Sequence, residues 1–205
     1  TCPWVTKVWN VVDKQVAKGM TTVIHGKYAH EEAIATASYC DNYIMVKNID
    51  EAEYVCRYIL NPTPEGKEAL LAKFAKAMSK GFDPDVHLLA VGMANQTTML
   101  KGETELIGKM VERCMLKKCG PADLKRDFNV VATICDATQE RQDAMYKLVD
   151  DKPDMMLVVG GFNSSNTSHL QEISEDASIP SFWVDTFERL DDESNTITHR
   201  LSHGE

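Results

Sequence analysis

Two kinds of hydrophobic pattern alternate along the chain. Short apolar runs bounded by polar or glycine-containing segments are typical of buried strands, whereas apolar positions three or four residues apart are typical of helices. The predicted strands are the short runs at residues 21–24, 43–47, 86–91, 128–134, 155–159 and 181–184. Because continuously apolar strands that alternate with helices form parallel sheets, the pattern predicts an α/β protein.

The helical pattern fills the segments between these strands. In the first helix Pro3 fits the opening turn, Val8 and Val12 lie on one face, and Gly19 ends the run. We expect Asp50 to cap a helix between the second and third strands. The further predicted helices cover residues 31–38, 50–59, 67–80, 100–116, 141–150 and 168–175.

Two breaks in the pattern indicate how the chain is divided. The segment Asn61-Pro62-Thr63-Pro64-Glu65-Gly66 interrupts the alternation, and the amphipathic helix after it resembles an insertion, at residues 61–81. A softer boundary falls between Lys125 and Val130. The predicted domains are therefore residues 1–127 and residues 128–205.

Composition is that of an ordinary globular protein and excludes some classes of function. The 205 residues are 43% hydrophobic and 26% charged, with a net charge of −9. A nucleic-acid scaffold needs a basic surface, so we expect no nucleic-acid partner, although a small phosphorylated ligand needs only a few donors. The longest strongly apolar stretch, residues 155–162, is far shorter than the ~20 residues of a membrane helix, so we expect no membrane partner.

The two ends of the chain look interrupted. The chain begins without methionine at Thr1-Cys2-Pro3, inside what looks like a motif, and stops abruptly at His203-Gly204-Glu205. We therefore expect it to be a piece of a longer protein.

Five helix-entry loops carry unusually polar side chains. Because the carboxyl ends of parallel strands meet at one edge of a sheet, such side chains can converge on one cleft. The loops are Thr1-Cys2, His30-Glu31-Glu32, Asn95-Gln96-Thr97-Thr98, Cys135 with Thr138-Gln139, and Asn163-Ser164-Ser165-Asn166.

The last of these loops contains more polar side chains than a helix cap requires. Each polar loop alone is explained by a cap, since Ser, Thr and Asn are the preferred N-cap residues. One cap needs one oxygen, however, and Ser164, Ser165 and Asn166 follow one another behind Gly160-Gly161. Three consecutive hydroxyl or amide groups at a helix N-terminus suit a multi-oxygen anion.

The titratable residues of the other loops leave several chemistries open. His30 alone is explained as a structural histidine, whereas with Glu31 and Glu32 beside it a proton-handling pair becomes possible. Six cysteines are too sparse for a disulfide scaffold, which favours a reducing compartment. Cys2 and Cys135 lie at junctions and can be buried thiols, metal ligands, or nucleophiles served by His30.

The five motifs, taken together, resemble one family. They read Thr1-Cys2-Pro3-Trp4-Val5-Thr6-Lys7-Val8, His25-Gly26-Lys27-Tyr28-Ala29-His30-Glu31-Glu32, Gln96-Thr97-Thr98, Thr133-Ile134-Cys135-Asp136-Ala137-Thr138-Gln139-Glu140-Arg141-Gln142 and Gly160-Gly161-Phe162-Asn163-Ser164-Ser165-Asn166. In order and spacing they resemble the LytB/IspH family of 4-hydroxy-3-methylbut-2-enyl diphosphate reductases along essentially the whole chain. The second motif and the insertion resemble the plastid and cyanobacterial branch.

The resemblance implies a fold and a reaction. The expected fold consists of repeated αβα lobes with parallel sheets around a central active-site cleft, of which this chain covers two of three, the last incomplete. The expected activity is that of an iron–sulfur oxidoreductase, which reductively dehydroxylates an allylic diphosphate to isopentenyl and dimethylallyl diphosphates at the end of the methylerythritol phosphate pathway. The plastid stroma, or the cytoplasm of a cyanobacterium-like bacterium, is the expected location, and ferredoxin the expected electron donor.

The resemblance also implies a role for each candidate residue. Cys2 and Cys135 match two of the three cysteine ligands of a 4Fe–4S cluster, and the third is expected upstream of Thr1. Glu32 matches the proton donor, and Thr97 matches a substrate-contacting residue that relays or orients the proton. The positions that match diphosphate-binding residues are His30, Ser164, Ser165 and Asn166.

Two hypotheses from other classes compete with this one. The chain can be a non-catalytic diphosphate-binding module with structural cysteines, or a thiol-dependent hydrolase that uses Cys135.

Under the reductase hypothesis, one cluster ligand is missing from this chain. We therefore expect residues 1–205 alone to hold no intact cluster and to be inactive.

Overall fold

The apolar runs in the first part of the chain form one parallel sheet with helices on both faces. In chain order the elements are α1 (Pro3–Val16), β1 (Thr21–His25), α2 (Glu31–Ala37), β2 (Tyr43–Val46), α3 (Ile49–Leu60), α4 (Pro64–Lys73), α5 (Pro84–His87), β3 (Val91–Asn95), α6 (Lys101–Asp127) and β4 (Phe128–Val130). Within the described residues the strand order is β2-β1-β3-β4, and every pair is parallel.

The computed structural model describes residues 2–131 and 133–202. Thr1 of the first motif, Ala132 of the predicted fourth strand and residues 203–205 at the end of the predicted second domain lie outside the described residues.

Alternate side chains of each strand pack against different helices. Val23 of β1 belongs to the largest core cluster, which α3, α4 and α6 cover. The next residue, Ile24, packs against α2, and Ala94 of β3 packs against α1. Both faces of this sheet are therefore covered, as the continuous apolar strands predicted.

A buried glutamine fastens α1 to the sheet. The Gln15 amide donates to the Met93 carbonyl over 2.9 Å and to Asn129 Oδ1 over 3.3 Å, and it accepts from the Thr22 hydroxyl over 3.3 Å. Gly92 leaves the space for this side chain, because a Cβ there would lie 2.2 Å from Gln15 Cδ. The polar groups of Gln15 are thus satisfied only while position 92 has no side chain.

The segment that resembles an insertion contributes to the main core. Leu70 of α4 and Phe74 after it are almost fully buried in the largest cluster. Lys67 Nζ lies 2.6 Å from Asp83 Oδ1 and 2.8 Å from Asp85 Oδ2, and these bonds hold the pKa of both carboxyl groups below their usual range. That the segment is an insertion relative to the family stays a prediction.

The prediction of a helix over residues 67–80 was wrong for the second half of that segment. The helix ends at Lys73, and the chain then turns so that Met78 forms an antiparallel bridge with Ile44 of the edge strand. The Met45 backbone N–H donates to the Ala77 carbonyl over 2.7 Å. Pairing with the open edge of β2 therefore takes precedence over the helical pattern.

The predicted third strand and one predicted cap were also wrong. The strand begins at Val91 because Asp83 caps a short helix, α5, whose first residue is Pro84. In α3 the cap is Asn48, whose side chain accepts from the backbone N–H of Glu51, rather than Asp50.

The second part of the chain forms a smaller unit. Strands β5 (Met156–Val159) and β6 (Ser181–Val184) are parallel, and strands β7 (Leu190–Asp191) and β8 (Thr196–Ile197) are antiparallel. On β5, Met156 and Val158 are buried, but Leu157 and Val159 are 42% and 68% exposed, so the expectation of a strand buried on both faces was wrong here. The elements are α7 (Asp136–Asp150), β5 (Met156–Val159), α8 (Ser165–Asp176), β6 (Ser181–Val184), a 3-10 helix (Phe187–Arg189), β7 (Leu190–Asp191) and β8 (Thr196–Ile197).

The two units divide between Ile134 and Cys135. This point lies beyond the boundary that the sequence analysis placed at residues 127 and 128, because β4 pairs with β3 in the sheet of the first unit. The α/β class with parallel sheets is confirmed, whereas the assignment of the units to lobes of the family stays a prediction. None of the described helices is both long enough and apolar enough to cross a membrane.

Replacing Gly92 with alanine tests the contact between α1 and the sheet. We expect Gly92→Ala to lower the free energy of unfolding by about 2–4 kcal/mol, since the new Cβ forces Gln15 out of its buried hydrogen bonds. Gly102→Ala is the matched control, because a Cβ added at that position would have nothing within 4 Å. Urea denaturation of both variants measures the difference, and equal stability would contradict the role of Gln15.

Candidate functional site

The strand order of the first unit creates a topological switch point between β1 and β3. The chain leaves β1 toward β2 on one side and returns to β3 on the other, so the connections diverge at the carboxyl ends of these strands. Ligands of open α/β sheets bind at such a switch point. His25 ends β1, Asn95 ends β3, and the two residues are partners in the strand register. The polar loops after these strands therefore begin side by side.

Glu32 and Thr97, from these two loops, are in direct contact. The Thr97 backbone N–H donates to Glu32 Oε1 over 2.6 Å, and the Thr97 hydroxyl donates to Oε2 over 3.2 Å. Thr97 is buried and Glu32 is half-buried. A carboxyl group linked to a hydroxyl in this way can hold a proton and deliver it to a group bound beside the threonine.

Gln96 clamps the two loops together. Its backbone N–H donates to the His25 carbonyl over 2.9 Å, and its Oε1 accepts from the Lys27 backbone N–H over 3.2 Å. Gly26 permits the approach, because a Cβ there would lie 3.1 Å from Gln96 Cβ. Gln96 was predicted only as a polar loop residue, and the signal for its role as a clamp was the glycine directly after β1.

His30 is the N-cap of α2. Its Nδ1 accepts a hydrogen bond from the Glu32 backbone N–H over 3.2 Å. In a neutral imidazole the proton is then on Nε2, which can donate to a phosphate oxygen. His30 and Glu32 are therefore in contact, but the hydrogen bond is made by the Glu32 backbone N–H and not by its carboxylate.

Cys2 is the N-cap residue of α1, and Pro3 occupies the first helical position. Its side chain is exposed and, within the described residues, makes no capping hydrogen bond, while its carbonyl accepts from the Thr6 backbone N–H over 3.2 Å. An exposed thiol of this kind is a ligand type that suits a soft metal centre.

Cys135 is the N-cap of α7, which begins at Asp136 rather than at the predicted residue 141. Its sulfur accepts from the Thr138 backbone N–H over 3.3 Å and lies 2.8 Å from the Thr138 hydroxyl. This hydroxyl donates to Asn166 Oδ1 over 3.2 Å. Because Thr138 gives its one hydroxyl proton to Asn166, the thiol form of Cys135 donates to the threonine oxygen. These contacts link the cysteine to the loop Asn163-Ser164-Ser165-Asn166, which we call the Ser/Asn loop.

The Ser/Asn loop provides both a helix cap and the N-terminal donors of α8. Ser164 Oγ accepts from the Thr167 backbone N–H over 3.3 Å and from the Thr167 hydroxyl over 3.0 Å. A Cβ at Gly160 would lie 2.4 Å from Thr167 Oγ1, so this glycine makes room for the first turn. The helix starts at Ser165, three residues before its predicted start. Since Ser164 accepts both of these bonds, it can still donate its own proton to an anion at the helix N-terminus.

The candidate residues divide between the two units. The first unit holds the proton-handling residues and Cys2, and the second holds Cys135 and the Ser/Asn loop. Across residues 2–131 and 133–202, no three His, Cys, Asp or Glu side chains come together as a metal site. Cys2 and Cys135 are both free cysteines at helix N-termini, and cysteine sulfur is the ligand that holds iron–sulfur clusters. Cys2 and Cys135 can therefore supply two of the cysteine ligands of such a cluster.

Comparison with known proteins identifies relatives over the whole chain. The model of the family described as "LytB protein" matches residues 1–201. The 4-hydroxy-3-methylbut-2-enyl diphosphate reductase, chloroplastic, of Botryococcus braunii is 59% identical over 210 residues, which cover 100% of this chain and 41% of that protein. The 4-hydroxy-3-methylbut-2-enyl diphosphate reductase of Trichormus variabilis is 56% identical over 205 residues, with 100% and 50% covered. The chain thus spans about half the length of the curated relatives it matches.

A solved structure supports the fold. The E-1-hydroxy-2-methyl-but-2-enyl-4-diphosphate reductase from Plasmodium falciparum matches 95% of this chain and 50% of its own, with a TM-score of 0.62 and 23% identity. This likeness agrees with the α/β architecture described above.

Proposed function

The chain belongs to the LytB protein family, and from this premise we propose that the whole protein is a 4-hydroxy-3-methylbut-2-enyl diphosphate reductase. It converts this allylic alcohol diphosphate into isopentenyl and dimethylallyl diphosphates, the last step of the methylerythritol phosphate pathway. The hydroxyl group leaves as water, so that two electrons and two protons are consumed, one proton going to the leaving oxygen and one to carbon. The names of the relatives support this reaction.

The observation that carries the proposal is the contact between Glu32 and Thr97. Loss of a hydroxyl group as water needs a proton donor within hydrogen-bond reach of the leaving oxygen. The two hydrogen bonds from Thr97 fix the Glu32 carboxyl group at the switch point of the sheet, where a ligand is expected. In the proposed mechanism Glu32 is the proton donor, and the Thr97 hydroxyl orients or relays the proton.

In this proposal the diphosphate group is bound by an imidazole together with hydroxyl and amide groups. His30 offers Nε2–H because its Nδ1 is occupied by the helix cap. Ser164, Ser165 and Asn166 offer hydroxyl and amide groups at the N-terminus of α8, whose partial positive charge favours an anion. Such donors bind a diphosphate without requiring a basic surface, which agrees with the net charge of −9.

Cys2 and Cys135 are the proposed cluster ligands within this chain, with a further cysteine expected upstream of Thr1. When bound, a 4Fe–4S cluster supplies the electrons and a binding position for the substrate hydroxyl. The chain itself contributes two thiols at helix N-termini and, through Thr138, a hydroxyl beside one of them. Because two ligands do not complete the set, residues 1–205 alone are proposed to be inactive.

The proposed location is the plastid stroma, or the cytoplasm of a cyanobacterium-like bacterium. One relative is named as chloroplastic, and another comes from Trichormus variabilis. Ferredoxin is the proposed electron donor on the strength of the resemblance to the plastid branch.

A diphosphate-binding module without catalysis is the second candidate. It is favoured by the fact that Cys135 and Ser164 both cap helices, a sufficient structural reason for a thiol and a hydroxyl at these positions. The hydrolase hypothesis has less support, because the described partners of the Cys135 sulfur are groups of Thr138 and not a base.

A substitution that removes the carboxylic acid of Glu32 distinguishes the reductase proposal from the diphosphate-binding module. In the full-length protein we expect Glu32→Gln to lower kcat about 10²–10⁴-fold, as loss of a general acid does. Glu31→Gln is the matched control, because Glu31 is the exposed neighbour in the same turn. Steady-state reduction of the diphosphate substrate measures both, and full activity of Glu32→Gln would rule out the proposed proton donor.

Replacing Cys135 tests the cluster. In full-length protein purified without oxygen, Cys135→Ser should lose the visible absorption and most of the iron, because serine does not supply a thiolate. Cys119→Ser, at a partly buried cysteine of α6, should keep both. Unchanged absorption in Cys135→Ser would favour the binding module.

A further inference from the structure

A pocket with a basic rim lies next to the loop that follows β1. Its volume is about 370 Å³, within the range of small-molecule sites. We call it the lysine pocket. The lining residues used below are Tyr28, Met45, Lys47, Lys73, Phe74 and Lys76.

The walls of the lysine pocket are held in place by backbone hydrogen bonds. On one side the Gly26 N–H donates to the Val46 carbonyl over 3.0 Å. On the other side the Ala77 carbonyl accepts from the Met45 N–H over 2.7 Å, and the Ala77 N–H donates to the Phe74 carbonyl over 2.8 Å. A pocket with fixed walls loses less entropy when a ligand binds.

The charges on the rim are not neutralised by the rest of the unit. Lys47, Lys73 and Lys76 are exposed, and none of them makes an ion pair within residues 2–131 and 133–202. The pocket also contains one carboxylate, that of Glu51, which accepts the Lys47 backbone N–H over 2.7 Å. The Lys73 ammonium lies 5.5 Å from the centroid of the Tyr54 ring and 5.8 Å from that of Phe74, contacts that leave its charge in place. Three lysines and one carboxylate among the lining residues give the pocket a net positive charge in a chain of net charge −9.

The pocket combines this rim with an apolar base. Met45 and Phe74 line it and are almost fully buried, and Tyr28 adds an exposed phenol. Ammonium groups bind phosphate oxygens as point charges, and the apolar lining suits a short hydrocarbon or aromatic body. A polynucleotide does not fit, because its binding needs a more extended basic surface.

We propose that the lysine pocket binds a small molecule that carries a phosphate or diphosphate group on a short apolar body. The pocket is separate from the residues of the proposed reaction, although Gly26 and Tyr28 belong to the loop that leads to His30 and Glu32. A ligand bound here contacts that loop without occupying the position beside Thr97.

Calorimetric titration of the full-length protein tests the proposal, with phenyl phosphate and inorganic phosphate as probes. We expect phenyl phosphate to bind more tightly than inorganic phosphate, because of the apolar lining. Lys73→Gln/Lys76→Gln should raise its Kd about 10-fold or more, since charge-assisted contacts are lost. The control Lys18→Gln/Lys80→Gln removes the same charge from exposed lysines outside the pocket and should change the Kd by less than about twofold.

Two further variants separate this site from the proposed diphosphate site. Ala75→Trp should block binding by filling the pocket from its exposed rim, without removing a charge. Ser165→Ala/Asn166→Ala should leave phenyl phosphate binding in the pocket intact. The proposal is overturned by absence of binding, by equal weakening in the two lysine pairs, or by loss of binding only in Ser165→Ala/Asn166→Ala. Unchanged melting temperatures confirm that each variant is folded.

Discussion

The pair of hydrogen bonds from Thr97 to the Glu32 carboxylate is the interaction that the candidate site depends on. It joins the loop after β1 to the loop after β3. These two strands are adjacent because β2 lies on one side of β1 and β3 lies on the other. Gln96 strengthens the same connection through Lys27, and Gly26 allows the approach. A carboxyl group held in this way is positioned before any ligand arrives, as proton transfer requires.

Periodicity predicted the elements where local pattern and tertiary context agree. The strands β1 and β6 and the first helix were recognisable because continuous apolar runs or a proline and glycine at the ends mark them. Residues 86–90 were misread because their apolar character resembles a strand, whereas Asp83 and Pro84 start a helical turn instead. The turn after Lys73 was not predictable, since it depends on pairing with the edge of a strand some thirty positions earlier.

The candidate site was also predictable from the sequence only in part. The meeting of the loops after β1 and β3 followed from the rule that parallel strands end at one edge, so Glu32 and Thr97 were correctly grouped. The Thr138–Asn166 hydrogen bond, which links Cys135 to the Ser/Asn loop, joins residues 28 positions apart. The two loops were expected at one edge, but this specific contact was not predicted, because no local propensity encodes it. Capping explains why these residues are polar, and the Ser/Asn loop also suits an anion, whereas the proposed cluster and the proposed diphosphate rest on the family relationship.

Exchange of the Thr97 side chain tests the central claim most directly. Thr97→Val keeps the backbone N–H that holds Glu32 but removes the hydroxyl, whereas Thr97→Ser keeps both. Measured in the full-length protein, kcat should fall about 10-fold or more in Thr97→Val with little change in KM, and Thr97→Ser should retain most of the activity. Full turnover in Thr97→Val, or an equal loss in both variants, would contradict the proposed role of the Glu32–Thr97 pair.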